Sequence, residues 1–318
     1  MIEAAPTGSV VCGVDGSQSS LDAVAWAASE ASRRKAPLVI VHAWQFPLYH
    51  VPLDSPVVAP PDGGMERAAE RVLSDAEDRA RAAADDVEVT GRLIAGGAAG
   101  AMLAVAEHAA LVVLGSRGLG GVTGLLVGSV GVQVSAHAPC PVIVIRRHAD
   151  APEAPHRGQV VVGVDGSEPG RAALAFGLDE ADRMGVPLVA VSVYHAPTVV
   201  ADTAVPTGVT PDDLADATTS MLRAEIERCH PAHPNVPVDT RVIESSTGWA
   251  LVREAAGCEL LVVGSRGHGG FAGLLLGSVS QYALHHAQCP VAVIRTSYDV
   301  GDGQSGVGPS GGEQPADG

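Results

Sequence analysis

The chain has 318 residues, enough for two domains; 46% are hydrophobic and only 3% aromatic, so its cores must be built from Val, Ala, Leu and Ile. A formal net charge of −16 argues against a nucleic-acid or anionic-membrane surface, and any anion must be held locally. No apolar run is long enough to cross a bilayer and no basic-then-apolar signal opens the chain, so a soluble, cytoplasmic protein is expected.

Val10 to Val14 reads as a first strand, and Asp15-Gly16-Ser17 turns it into a helix that Ser17 or Ser19 can cap. Leu21, Val24, Ala25, Ala28 and Ala31 fall on one face of that helix. Pro37 to His42 is a second strand. The proline-rich stretch from Phe46 to Gly64 is long for a loop. An acidic, alanine-rich helix follows from about Glu66 to Ala84. Val87 to Ile94 is a third strand and Ala99 to His108 a short helix. Leu111 to Val130 then combines an apolar strand, a glycine-laden loop and a helix start at Gly128-Ser129. Val142 to Arg146 is the last strand of this series.

The series then repeats. VVCGVDGS ending at Ser17 returns ending at Ser167, PLVIVHAW at Pro37 returns as PLVAVSVY at Pro187, and HAPCPVIVIR at His137 returns as HAQCPVAVIR at His286. The glycine-loop run returns from Leu260 to Val279, and a second long loop runs from Ala196 to Pro211. The expected organisation is a domain over 1–148, a linker over 149–157, a second domain over 158–298 and a disordered tail over 299–318. Strands alternating with helices imply parallel βαβ units with helices on both faces of the sheet. Ligands in such sheets bind beyond the carboxyl ends of the strands, where the strand order reverses.

Glycine loops between strand and helix leave backbone N–H groups facing outward, an anion trap made of main chain. Asp15 and Asp165 end their strands before a Gly-Ser turn, either as turn residues or as carboxylates for a ligand or a cation's water shell. Arg117 and Arg266 interrupt the glycine runs, either to offset phosphate charge or as solvated loop residues. Ser129 and Ser278 offer a hydroxyl and an N–H at a helix start, as caps, as phosphate ligands or as both. The five cysteines form no C-x-x-C; Cys140 and Cys289, each before a proline, read as buried small hydrophobes. The histidines form no H-E-x-x-H, and His108, His137 and His286 read as ordinary helix residues. Lys35 is the only lysine, and the Ala, Gly, Val and Arg bias fits a GC-rich genome such as an actinobacterium's. At the strand–helix turns the glycine spacing does not fit G-x-G-x-x-G, and neither G-x-x-x-x-G-K-[ST] nor G-x-S-x-G appears there.

Both halves resemble universal stress protein domains, and the whole chain resembles a tandem member of that family's ATP-binding branch. The branch carries G-x-x-G, nine residues, then G-[ST]; here these are Gly115, Gly118, Gly128 and Ser129, and again Gly264, Gly267, Gly277 and Ser278. The resemblance implies an α/β fold of two tandem five-stranded parallel sheets, each ordered 3-2-1-4-5, of the kind shared with adenine nucleotide alpha hydrolases. It also implies ATP in each crevice, with Mg2+. Asp15 and Asp165 would then sit near ribose and metal. The phosphates would lie on Gly115, Ser116, Arg117, Gly118, Leu119, Gly120 and Gly121, closed by Gly128, Ser129 and Val130. In the second copy the counterparts are Gly264, Ser265, Arg266, Gly267, His268, Gly269 and Gly270, closed by Gly277, Ser278 and Val279. Main chain at Val41 and Val191 would read the adenine edge, and Gly13 and Gly163 would give room for the base.

The function expected on these grounds is nucleotide-dependent regulation in a stress response, with one ATP per domain. A rival is a weak ATP hydrolase or phosphotransferase, which needs a base or nucleophile near the phosphates. Neither glycine loop carries an Asp, Glu or His common to both copies, since His268 corresponds to Leu119. A flavodoxin-like electron carrier is a third reading, with few aromatics to sandwich a flavin. The fifth strands, Val142 to Ile145 and Val291 to Ile294, carry no charge or proline to protect an edge, so the two copies are expected to pair there. Whole chains are expected to associate as a homodimer or higher oligomer.

Overall fold

A computed structural model describes residues 2–44, 64–118, 127–146, 156–195, 210–267 and 275–295. The first half runs β1 (Val10–Val14), α1 (Gln18–Arg34), β2 (Leu38–Trp44), α2 (Gly64–Ala83), β3 (Val89–Ala95), α3 (Ala98–Val105), β4 (Leu111–Gly115), α4 (Ser129–His137) and β5 (Val142–Ile145). The second half repeats it as β6 (Val160–Gly163), α5 (Glu168–Met184), β7 (Leu188–Tyr194), α6 (Pro211–Cys229), β8 (Val238–Glu244), α7 (Thr247–Glu254), β9 (Leu260–Gly264), α8 (Ser278–His286) and β10 (Val291–Ile294). The expected elements are all present, with ends displaced by a few residues. β2 runs on to Trp44, and the short third helix finishes as a 3-10 turn over Ala106–His108. The long loops after β2 and β7, most of the linker and the tail fall outside the described residues.

Of the two serines able to cap α1, Ser17 does so, accepting from Ser20 N; Ser167 caps α5 through Gly170 N. Both helices end in a left-handed residue, Gly185 after α5 but Lys35 (φ 52°) after α1. Their last turns are closed by the same backbone pattern, so Lys35 carries the steric cost that Gly185 avoids.

Within each half the strands are parallel and ordered 3-2-1-4-5, as expected. The expected pairing of the two copies at their fifth strands is found, and it joins the two five-stranded halves into one sheet. β5 and β10 pair antiparallel, Val144 beside Val291 and Val142 beside Val293, giving one ten-stranded sheet, β3-β2-β1-β4-β5-β10-β9-β6-β7-β8. The reason is the one the sequence carried: two short, wholly apolar edges satisfy each other's N–H and C=O groups. The edges that remain are β3, with Arg92, and β8, with Asp239, Arg241 and Glu244. Since the fifth strands are already paired within the chain, any association of whole chains must use another surface.

On one face, α1, α2, α5 and α6 cover a single core that runs across both halves, from Val10, Cys12 and Ile40 to Val160, Val162 and Phe176. On the other, α3 and α4 cover Val11, Val39 and Val112, while α7 and α8 cover Val161, Val189 and Leu261. Cys140 and Cys289 are buried, and burial pushes the Cys140 thiol up to about 12, as for a small hydrophobe. His137 and His286 bond the carbonyls of Gln133 and Tyr282 one turn back, an ordinary helical arrangement.

Where α1 meets α5 across the pseudo-twofold axis, Glu30 and Glu180 are both fully buried. Arg34 bridges them, with Nε 2.5 Å from Glu30 Oε1 and its NH2 on Glu180 Oε1. Arg33 and Arg183 add pairs of 2.8 Å to Glu30 and Glu180 respectively. Burial pushes the Glu180 carboxyl up to about 7; Arg34 and Arg183 pull it down, and Glu30 pushes it further up.

Because the folded value of Glu180 exceeds its unfolded one, the native state holds the extra proton between those two values. Its contribution to stability falls as pH rises from about 4.5 to about 7. Thermal melts across that window should therefore show a steeper decline for the parent than for Glu180→Gln; parallel curves would remove the carboxyl from this role. Lys35→Gly should stabilise the chain by about 1 kcal/mol, read as a higher denaturant midpoint at unchanged slope.

Candidate functional site

Strand order reverses between β1 and β4, and again between β6 and β9, so each half has a crevice beyond those strand ends. Asp15 leaves β1 at this point. Its Oδ1 accepts from Ser17 N at 3.0 Å across Gly16, whose φ of +85° suits the turn to glycine. The turn reading is thus correct, and the other oxygen serves a second purpose. A Cβ placed on Gly118 would lie 2.3 Å from Asp15 Oδ2. The second half repeats this: Ser167 N and Oγ donate to Asp165 Oδ1, and a Cβ on Gly267 would lie 2.4 Å from Asp165 Oδ2. Carboxylate and glycine loop, about a hundred residues apart in sequence, thus lie against each other, and a side chain at the glycine would force the carboxylate to shift.

Each loop is pinned at its base. Ser116 N donates to Ile145 O at 3.0 Å and Gly128 N to Ser116 O at 2.9 Å; the counterparts are Ser265 N to Ile294 O and Gly277 N to Ser265 O, both 2.7 Å. Side chains then tie the two loops differently. In the first half Ser17 Oγ donates to Arg117 O at 3.1 Å, and Ser19 Oγ lies 3.4 Å from both Ser116 Oγ and Arg117 N. In the second, Pro169 replaces Ser19, and Ser280 Oγ reaches Ser265 O at 3.0 Å and Gly277 O at 2.9 Å instead. Ser116 and Ser265 therefore serve the loop bases and do not line the cavities.

α4 and α8 begin with Gly128 and Gly277 at the cap position, and no side chain caps either helix. Ser129 and Ser278 are first-turn residues with exposed hydroxyls, so the capping alternative fails and their first-turn N–H groups face the crevice. The crevices enclose about 340 Å³ and 330 Å³. Gly13, Asp15, Val41, Gly115, Arg117, Gly118, Gly128, Ser129 and Val130 line the first. Gly163, Asp165, Val191, Gly264, Arg266, Gly267, Gly277, Ser278 and Val279 line the second. Leu119, Gly120, Gly121, His268, Gly269 and Gly270 lie outside the described residues.

Several lining residues were not singled out from sequence. Met102 and Ala98 of α3 join the first cavity, Leu251 and Thr247 of α7 the second. A Cβ on Gly13 would meet Leu114 and Met102 at 2.7 and 3.0 Å, and one on Gly163 would meet Leu251 at 2.9 Å. These glycines thus make room for the apolar wall itself. The available signal was positional: Met102 and Leu251 stand at matching places ahead of the two glycine-loop runs.

Among the described residues no group of three His, Cys, Asp or Glu could hold a metal by itself. One carboxylate per crevice still fits a magnesium ion that arrives on phosphates, because Mg2+ keeps most of its waters and needs only one or two carboxylates from a protein.

Gly115 packs against α1, where an added Cβ would sit 2.7 Å from the Ser19 carbonyl carbon and oxygen; at Gly128 the nearest atom is 3.9 Å away. Gly115→Ala should therefore cost about 1–3 kcal/mol, and Gly128→Ala, where there is open space and the extended backbone suits alanine, less than about 1 kcal/mol, by denaturant titration without nucleotide. Equal losses would show that the α1 approach does not set the first requirement.

The universal stress protein family model matches residues 7–146 and 156–295. A universal stress protein of Mycobacterium tuberculosis is 35% identical over 293 residues, covering 91% of this chain and 97% of that protein. Another, from Mycolicibacterium smegmatis, is 32% identical over 311 residues, covering 93% and 99%. A solved universal stress protein structure from Archaeoglobus fulgidus superposes with a TM-score of 0.64 over 90% of this chain and 96% of that one; at 19% identity it bears on the fold alone. The chain belongs to the universal stress protein family, as two copies of its domain in tandem.

Proposed function

We propose that the chain is a nucleotide-dependent regulatory protein that holds one ATP, with magnesium, in each crevice. The observation that carries the reading is the opposition of Asp15 to Gly118, and of Asp165 to Gly267, beside an uncapped helix N-terminus. Backbone N–H groups of the loop and of the first turn of α4 or α8 suit phosphate, and the aspartate suits ribose and the metal's water shell. Val41 and Val191, midway along β2 and β7, line the cavities where the adenine would lie, although Val191 O already accepts from Val164 N. Arg117 and Arg266 are exposed, so their attraction for phosphate is screened.

Binding with regulation is favoured over turnover by the composition of the walls. Among the described residues, Asp15 and Asp165 are the only carboxylates lining the two cavities. Each already accepts a turn N–H and is needed for ribose and metal, which leaves no separate base for a dedicated hydrolase among the described lining residues. The reading places the protein in the cytoplasm, where ATP is abundant. No helix among the described residues is long and apolar enough to cross a membrane.

Calorimetric titration with ATP and Mg2+ should count two sites in the parent. Gly118→Glu, which drives a side chain and a like charge into Asp15, should leave one, and adding Gly267→Glu should leave none. Arg117→Ala should weaken binding by no more than about 1 kcal/mol. A parent with one site, or a double variant that keeps both, would overturn the backbone-cradle assignment.

A further inference from the structure

The residues that follow β5 and β10 are both arginines, and each crosses the β5–β10 seam into the other half. Arg146 donates through NH1 to Ala287 O at 2.8 Å and through NH2 to Leu284 O, at the C-terminal end of α8. Arg295 donates through NH1 to Ala136 O in the last turn of α4. Terminal carbonyls of a helix have no partner within it and form the negative end of its dipole, where a cation is stabilising.

These two helices are the ones whose opposite ends form the anion walls, at Ser129 and Ser278. Each has 9 residues, so only about 13 Å separate its ends. A cation at the far end and a phosphate at the near end act on one dipole and fix one short rod. The backbone extends the arrangement. Ile145, just before Arg146, accepts from Ser116 at the base of the first loop, and Ile294, just before Arg295, accepts from Ser265 at the base of the second. The first loop base is thereby joined through Arg146 and α8 to the second site, and the second loop base through Arg295 and α4 to the first. Burial lowers the Arg146 guanidinium to about 10, still charged at neutral pH.

We propose that Arg146 and Arg295 are positioning residues that act in trans, each holding the helix that presents backbone N–H groups to the nucleotide of the opposite half. The inference rests on the ATP reading above and adds to it that neither site is complete without the other half.

The test is calorimetry with ATP and Mg2+ on full chains that keep one site at a time. In a Gly267→Glu background, where only the first site remains, Arg295→Met should weaken binding about three- to tenfold. In a Gly118→Glu background, where only the second site remains, the same change should alter affinity less than about twofold. Arg146→Met should show the reverse ranking. Its effect on the first site is the smaller one, though not nil, because Arg146 also lies in the field of Arg117. Arg295→Lys and Arg146→Lys should recover most of each loss, because a cation returns to the helix end. A role confined to clamping the seam would instead lower the melting temperature with equal losses at both sites and no lysine rescue, and that pattern overturns the proposal. A two-site parent whose arginine variants show no crossed loss overturns this inference and leaves the ATP reading standing. A parent that binds no ATP overturns both.

Discussion

The antiparallel pairing of β5 with β10 is the constraint on which the rest of the molecule depends. Each strand is four residues of Val, Ile or Ala, with nothing to discourage pairing at an open edge. Joined, they turn two half-sheets into one and set the pseudo-twofold axis. That axis brings α1 against α5, so that the Glu30 and Glu180 carboxyls meet and a single arginine, Arg34, bridges them. Its positional equivalent in α5 is Met184, so the centre of symmetry is itself asymmetric. Two symmetric arginines would place a fourth cation beside two carboxylates in a buried space. Arg33, Arg34 and Arg183 already bring three cations to the two carboxylates, so a fourth would add to the excess of positive charge.

The crevices follow from a second constraint, the closeness of backbones. Gly115 and Gly264 let the N-terminal turns of α1 and α5 pass within contact of β4 and β9, while Gly118 and Gly267 keep the loops clear of the aspartates. The first pair concerns packing and the second concerns an opening. A glycine loop after the fourth strand therefore has two physical origins, which the repeat alone does not separate.

Much of this was legible in the chain. The apolar runs and the repeated blocks place every strand, and a 3-2-1-4-5 order sets Asp15 opposite the loop at Gly115, as found. What escaped has physical reasons. Met102 and Leu251 lie in helices of 8 residues each, too short and, in α3, too uniformly apolar for periodicity to show which face lines a cavity. Ser129 and Ser278 looked like caps because serine is a frequent cap, but the preceding glycine already holds that position. Arg146 and Arg295 looked like polar ends of strands. Their partners are carbonyls in the other half, at separations of 138 to 159 residues that no local pattern encodes.

Duplication has let the halves diverge where their loops are tied. Hydroxyls of Ser17 and Ser19 tether the first loop to the start of α1, the helix that also packs on the central glutamate cluster. The second loop lacks Ser19's counterpart and is held by Ser280 of α8, the helix whose other end is capped by Arg146 of the first half. Both loops stay pinned at their bases to the seam strands, through Ser116 N to Ile145 O and Ser265 N to Ile294 O, so a disturbance at the β5–β10 seam has a short path to each. The side-chain ties then add α1 to the first loop and α8 to the second. Nearly equal cavity volumes do not make the sites equivalent, since what differs is the helix to which each loop is tied.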